Sequence, residues 1–197
     1  MPQRAIKYAV VDAFTSEAFK GNPAAVCLLE ENAEVDKKWM LSVAKEFNTP
    51  ITAFLSRHVS DAHDDDAPWF RIWWSTPAVE IELSSGKEVA MLQPNFEEIK
   101  KCEERAVIVT GPAPAGSEFD FFTRVFCPKF GFDEDHVCGS VHCALAPLWN
   151  KKLNKQSFTS FMASPRSGVL YVELEEKFQR VRIRGEAVTV MLGTLLV

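Results

Sequence analysis

Two stretches of this chain carry a clear helical apolar period, and each stands alone among short β-prone runs. Met40, Val43, Ala44 and Phe47 fall at i, i+3, i+4 and i+7, and Asp36 is placed to cap a helix running to about Phe47. Val141, Leu145 and Leu148 repeat at i, i+4 and i+7 within residues 139–150, where Pro147 predicts a kink. Around these helices, residues 6–11, 24–29, 52–55, 70–74, 106–110, 119–126, 169–174, 181–183 and 188–192 read as strands. Strands before and after each of two isolated helices make the class α+β, with two lobes.

Smaller signals fill in the connections. Gly21-Asn22-Pro23 is a turn, and Gly111 to Ser117 is a Gly/Pro-rich loop. Pro77 ends or redirects the strand before it, whereas residues 80–86 show no readable period. Pro94 opens a short helix with Phe96 and Ile99 inward. The acidic tract at residues 60–66 lacks the alternating ligands, Gly and terminal Glu of a calcium loop, so it reads as a solvated loop. Arg180, Arg182 and Arg184 alternate along one strand face, either to grip an anion or as an ordinary solvated outer face.

Length and composition exclude several classes. The 197 residues suit one large domain or two lobes, here 1–82 and 83–197, with the last strands free to return to the first lobe. At 47% hydrophobic and 25% charged residues the chain is globular rather than disordered. A net charge of −5 lacks the basic footprint of a nucleic-acid binder. No apolar run is long enough to span a bilayer, and the start does not read as a signal peptide. Five irregularly spaced cysteines, an odd number, point to reduced thiols in a cytoplasmic protein.

The densest chemistry lies in Glu134-Asp135-His136-Val137-Cys138-Gly139-Ser140-Val141-His142-Cys143. A helix opening at Gly139 and Ser140 offers unpaired N–H groups and a positive dipole to an anion such as a substrate carboxylate. Cys138 at that end would have its thiolate stabilised, and Asp135 could accept or orient a proton. The plainer alternatives are that Asp135 caps the helix and that Cys138 is a small buried hydrophobe. Zinc on Cys138, His142 and Cys143 is disfavoured, because Cys143 points about 100° from its neighbour on a helix. The chain has no GxGxxG, no complete phosphate loop and no GxSxG elbow.

Asp12-Ala13-Phe14-Thr15 and Phe19-Lys20-Gly21-Asn22-Pro23-Ala24-Ala25-Val26 resemble the opening of the phenazine-biosynthesis PhzF-like family. Residues 39–55, 70–80, 134–149 and 164–168, and the closing Gly185-Glu186-Ala187-Val188 with Gly193, resemble later family blocks in order. The resemblance implies a diaminopimelate-epimerase-like fold, with two β-rich lobes each around a central helix and a cleft between them. It implies an isomerase or epimerase that moves a proton at carbon of a small carboxylate without metal or cofactor. Asp135 and Cys138 would then be catalytic, and Gly139 and Ser140 would bind substrate.

Two departures bear on activity. The family's Asn-Leu-Ser-Glu-Thr-Ala-Phe block is here Asn48-Thr49-Pro50-Ile51-Thr52-Ala53-Phe54, so Ile51 replaces a proton-shuttling Glu. After Trp74-Ser75-Thr76-Pro77-Ala78-Val79-Glu80 the family's Cys-Gly-His-Ala-Thr helix is missing, which leaves the first lobe incomplete. His136, Val141 and Ser167 are lesser deviations, standing where Pro, Ala and Gly are usual. The resemblance is compatible with an impaired isomerase, a catalytically inactive binding module, or a shortened product of a longer coding sequence. The expected partners are a small carboxylate and a second copy of the chain, with neither nucleic acid nor membrane.

Overall fold

A computed structural model describes residues 5–29, 37–49, 51–56 and 78–196. Asp36, the acidic tract, the 70–74 strand and Pro77 lie outside the described residues. The first sheet has the order β10-β1-β2-β3, built from β1 (Ala5–Ala13), β2 (Asn22–Leu29), β3 (Ile51–Ser56) and the last strand, β10 (Ala187–Leu196). β10 runs antiparallel to β1 with a register shift between Val10 and Val11, and β3 runs parallel to β2.

The inward row of this sheet packs on α1 (Lys37–Phe47). Ile6, Cys27 and Val43 are buried together, with Tyr8, Trp39, Phe47 and Phe54 around them. The helical period of residues 40–47 is therefore a true burial pattern.

The second sheet has six strands in sequence order. These are β4 (Ala78–Glu82), β5 (Ala106–Pro112), β6 (Phe121–Phe126), β7 (Ser157–Met162), β8 (Gly168–Glu175) and β9 (Arg180–Arg184). One face wraps α4 (His142–Leu153), whose Leu145, Ala146 and Trp149 are buried against Phe121, Phe158, Met162, Leu170 and Val172. Phe121 and Trp149 stack at 5.1 Å, and the indole N–H donates to Thr110 Oγ1 at 3.1 Å. A buried Trp requires such a partner. The other face of β5 and β6 is covered by α2 (Gly86–Met91) and α3 (Phe96–Lys101), through Val89, Phe96 and Ile99 against Val107, Val109 and Phe126.

Several expectations are corrected. The unreadable residues 80–86 end β4 and open α2, where Ser85 Oγ accepts the Glu88 N–H at 3.2 Å and the Glu88 carboxylate returns to Ser84. α3 is capped by Asn95 rather than opened by Pro94, although Phe96 and Ile99 do pack inward. β7, absent from the sequence reading, buries Phe158, Ser160 and Met162 in one row, and the polar Ser160 hides its alternation. Two arginines of the β9 ladder pair with β8 carboxylates, Arg182 with Glu175 and Arg184 with Glu173.

The end of β1 and the turn after it fasten the first sheet to the second. Buried Asp12 accepts from Arg166 at 2.7 Å and from the Phe19 N–H at 2.7 Å. Arg166 also donates to the carbonyls of Gly21 and Lys20. Gly21 donates to the Ser167 carbonyl and Val169 to that of Phe14. Gly21 sits at φ 62, and a Cβ there would stand 2.1 Å from the Ala13 carbonyl oxygen. Only glycine meets both conditions.

Candidate functional site

The candidate residues lie on the turn between β6 and α4, where the two sheets meet. Its base is rigid: Arg124 forms a two-pronged pair with Glu134 at 2.7 and 2.8 Å, and Asp135 N–H donates to Val125 at 2.9 Å. Glu134 is thus a structural partner of a buried guanidinium. Cys138 N–H donates to Met162 Sδ at 3.2 Å, and Ser164 Oγ donates to the His136 carbonyl at 2.5 Å.

The helix begins at His142, not at Gly139. The Gly139, Ser140 and Val141 carbonyls accept from residues three further on, forming a tight lead-in turn. The N–H groups of Gly139 and Ser140 have no partner among the described residues. They remain available to an anion, in a turn instead of a first helical turn. Asp135 lies seven residues before the helix and does not cap it; the N-cap position is Val141.

Asp135 and Cys138 share a hydrogen bond in which the thiol donates to the carboxylate. Burial pushes the Asp135 carboxyl above its ordinary value, offset in part by that bond. Burial, then the Asp135 charge, pushes the Cys138 thiol up to about 12. The stabilised thiolate expected at a helix start is therefore corrected: the chain stops short of the helix dipole and removes the sulfur from water. The pair is a protonated thiol beside a carboxylate of raised basicity. Ser140 Oγ lies 3.4 Å from the sulfur.

His142 is fully buried. Nδ1 lies 3.0 Å from the Cys138 carbonyl and Nε2 2.8 Å from Ser160 Oγ. A carbonyl can only accept, so Nδ1 carries the proton and Nε2 accepts from Ser160. Burial lowers the imidazole to about 4. It serves as a neutral strut, and Cys143 is exposed on a different side of the helix. Among the described residues no three His, Cys, Asp or Glu side chains gather as metal ligands.

Asn22 belongs to this site and was missed as a site residue, although it was read within a turn. Its amide donates to the Val137 carbonyl at 2.9 Å and to Asp135 Oδ1 at 3.4 Å. Its own Oδ1 is buried without a partner. Phe14, at φ 64, packs close to Gly139, Gly168 and Gly185, where a Cβ would approach its atoms to 3.3, 2.9 and 2.4 Å respectively. Such a backbone is costly for a bulky residue and is held by its surroundings. Phe14 also lines a cavity of about 360 Å³ with Lys20, Phe161, Ser167, Gly168 and Glu186. Asp135, Cys138, Gly139 and Ser140 are not among the walls of that cavity, which meets their turn through Phe14 and through Gly168, packed against Val137. Ile51 sits at the start of β3, 49% exposed, paired in register with Ala24 two residues along β2 from Asn22.

The sequence pattern of PhzC-PhzF, described as phenazine biosynthesis-like protein, matches residues 11–84 and 78–193. An uncharacterized isomerase of Halalkalibacterium halodurans is 31% identical over 262 residues, covering 95% of this chain and 97% of the relative. A phenazine biosynthesis-like domain-containing protein of Homo sapiens is 25% identical over 283 residues, covering 94% and 97%. Both alignments are longer than the 197 residues of this chain, so both relatives carry residues without a counterpart here. The crystal structure of a PhzF-family phenazine biosynthesis protein from Enterococcus faecalis superposes with a TM-score of 0.81 at 25% identity, over 98% of this chain and 100% of that one. A putative PhzC/PhzF protein of Clostridium difficile gives 0.79 at 25%, with the same coverage.

Proposed function

The chain belongs to the PhzC-PhzF, phenazine biosynthesis-like, family, and we propose that it acts there as a cofactor-independent isomerase or epimerase of a small carboxylate. Its fold is the α+β, diaminopimelate-epimerase-like fold. The observation that carries the proposal is the Asp135–Cys138 pair beside the unpartnered N–H groups of Gly139 and Ser140. The N–H groups hold the substrate carboxylate. Asp135, whose basicity burial has raised, takes a proton from an adjacent carbon. The resulting carboxylic acid exchanges with water and delivers a proton at another carbon, so one C–H bond breaks, one forms and the double bond between them moves. Cys138 keeps its own proton and supports the Asp135 carboxylate through its hydrogen bond. The lobes are taken as 1–82 and 83–197, exchanging strands so that β4 joins the second sheet and β10 the first. Five unpaired thiols suit the cytoplasm.

Solvent deuterium exchange into α-amino and unsaturated small carboxylates tests the reaction. Incorporation by the chain and its loss in Asp135→Ala and Cys138→Ala support it. Equal incorporation by the chain and both variants overturns it.

Ile51 favours a second reading, a family member that binds its ligand without turnover. An apolar side chain stands where a proton-carrying Glu is expected, on the sheet row that ends at Asn22. The two pattern matches overlap at residues 78–84, which supports loss of an internal segment there. Under this reading the same carboxylates bind but exchange no deuterium.

A further inference from the structure

The outer face of the second sheet carries the Arg184–Glu173 pair, yet towards the turn after β1 it becomes aromatic. Phe161 of β7 and Val169 and Tyr171 of β8 alternate with the buried Ser160, Met162, Leu170 and Val172, so they point away from α4. Phe161 and Val169 are cross-strand partners, and Phe161 stacks on Phe119 with ring centroids 4.9 Å apart. The turn after β1 lies over these side chains. It is tied down where the Val169 N–H donates to the Phe14 carbonyl at 3.0 Å and the Thr15 N–H to the Glu186 carbonyl at 3.1 Å. Thr15 Oγ1 accepts the Glu17 N–H at 3.0 Å, which fixes the rim. The space enclosed is the cavity of about 360 Å³, within the size range of small-molecule sites. Phe14 and Ser167, on two of its walls, both hold left-handed backbone, at φ 64 and 53. Strained non-glycine residues of this kind gather at ligand clamps.

We propose that this cavity binds a small zwitterion, an α-amino acid with an apolar side chain, at a site separate from the Asp135 turn. Charge supports that class. Glu17, Lys20 and Glu186 stand on the walls, and none of their charged groups has a hydrogen bond or an ion pair among the described residues. A ligand with only a negative charge meets two carboxylates, and one with only a positive charge leaves the Lys20 ammonium uncompensated. A zwitterion satisfies both signs, its carboxylate on Lys20 and its ammonium on Glu17 and Glu186. Phe14, Phe161, Val169 and Tyr171 cover its side chain, and an ammonium beside such rings gains cation–π attraction. Asp135, Cys138, Gly139 and Ser140 stand outside these walls, so the ligand held here is not the one from which Asp135 takes a proton.

Isothermal titration calorimetry of the full chain with L-phenylalanine tests the proposal, alongside phenethylamine and 3-phenylpropionate, which each lack one of the two charges. Phenylalanine is expected to bind at millimolar concentration or below, and each analogue about five- to tenfold more weakly. Lys20→Met weakens phenylalanine by a similar factor without weakening phenethylamine. The double variant Glu17→Gln, Glu186→Gln weakens phenylalanine without weakening 3-phenylpropionate. Asp135→Asn binds phenylalanine as the unaltered chain does. Absence of phenylalanine binding overturns the proposal, as does equal affinity for either analogue or an affinity unchanged in either wall variant. Loss of binding in Asp135→Asn overturns it as well, because the ligand would then occupy the turn.

Discussion

The Asn22 amide donates to the Val137 carbonyl at 2.9 Å, joining β2 of the first sheet to the turn that carries Asp135 and Cys138. The same nitrogen reaches Asp135 Oδ1. Asn22→Leu removes both bonds and leaves a buried carbonyl unsatisfied, at a cost of about 1–3 kcal/mol. Asn22→Asp costs more near neutrality, because a second carboxylate then faces Asp135, and the excess cost shrinks as pH falls. Urea midpoints of the two variants at neutral and mildly acidic pH check this order. A larger loss in Asn22→Leu than in Asn22→Asp at neutral pH contradicts it.

His142 makes stability depend on pH. Its folded value of about 4 lies below the ordinary 6.5, so the native state binds fewer protons than the unfolded chain. Its contribution is complete above about pH 6.5 and is lost as pH falls towards 4, amounting to on the order of 3 kcal/mol. Urea unfolding of His142→Gln is expected to show a flatter acid limb than the unaltered chain, alongside lower stability at neutral pH. An identical acid slope in both proteins would show that the imidazole does not drive it.

Ser167 sits at φ 53, the left-handed region in which a Cβ is strained. Its N–H and carbonyl bond to Ser164 and Gly21 through the backbone, and both bonds survive loss of the hydroxymethyl group. Ser167→Gly is expected to stabilise the fold by about 0.5–1 kcal/mol and to raise Tm by about 1–4 °C. Thermal unfolding followed by circular dichroism measures it, and an unchanged or lower Tm refutes the strain argument.

Both long helices were legible in the sequence because their apolar residues recur at the period of the face they bury. The apolar period starts α4 three residues early, because Val141 extends that period while its backbone is still in the lead-in turn. α2 carried a readable signal in the Ser85-to-Glu88 capping spacing, obscured by Ile81 and Leu83 before it. β7 was hidden because Ser160 is buried to hold an imidazole, which no hydrophobic pattern reports. Asp135, Cys138, Gly139 and Ser140 were found as neighbours in sequence. Asn22 was not, since its contact with Asp135 spans 113 residues and depends on how the two sheets meet. The Cys138 protonation state was misjudged for a related reason: burial by Met162 and its neighbours outweighs a dipole that begins four residues later.

The site draws Asn22 and Phe14 from the first sheet and the turn after β1, and Asp135 to Ser140 from the turn after β6 of the second, so it exists only if the two sheets fold as one unit. Urea unfolding followed together by far-UV and near-UV circular dichroism tests this most directly. Coincident cooperative transitions, with a near-UV signal from the packed Trp149, are predicted. A broad transition with little near-UV signal, or two separated steps, would contradict a site shared between the two sheets.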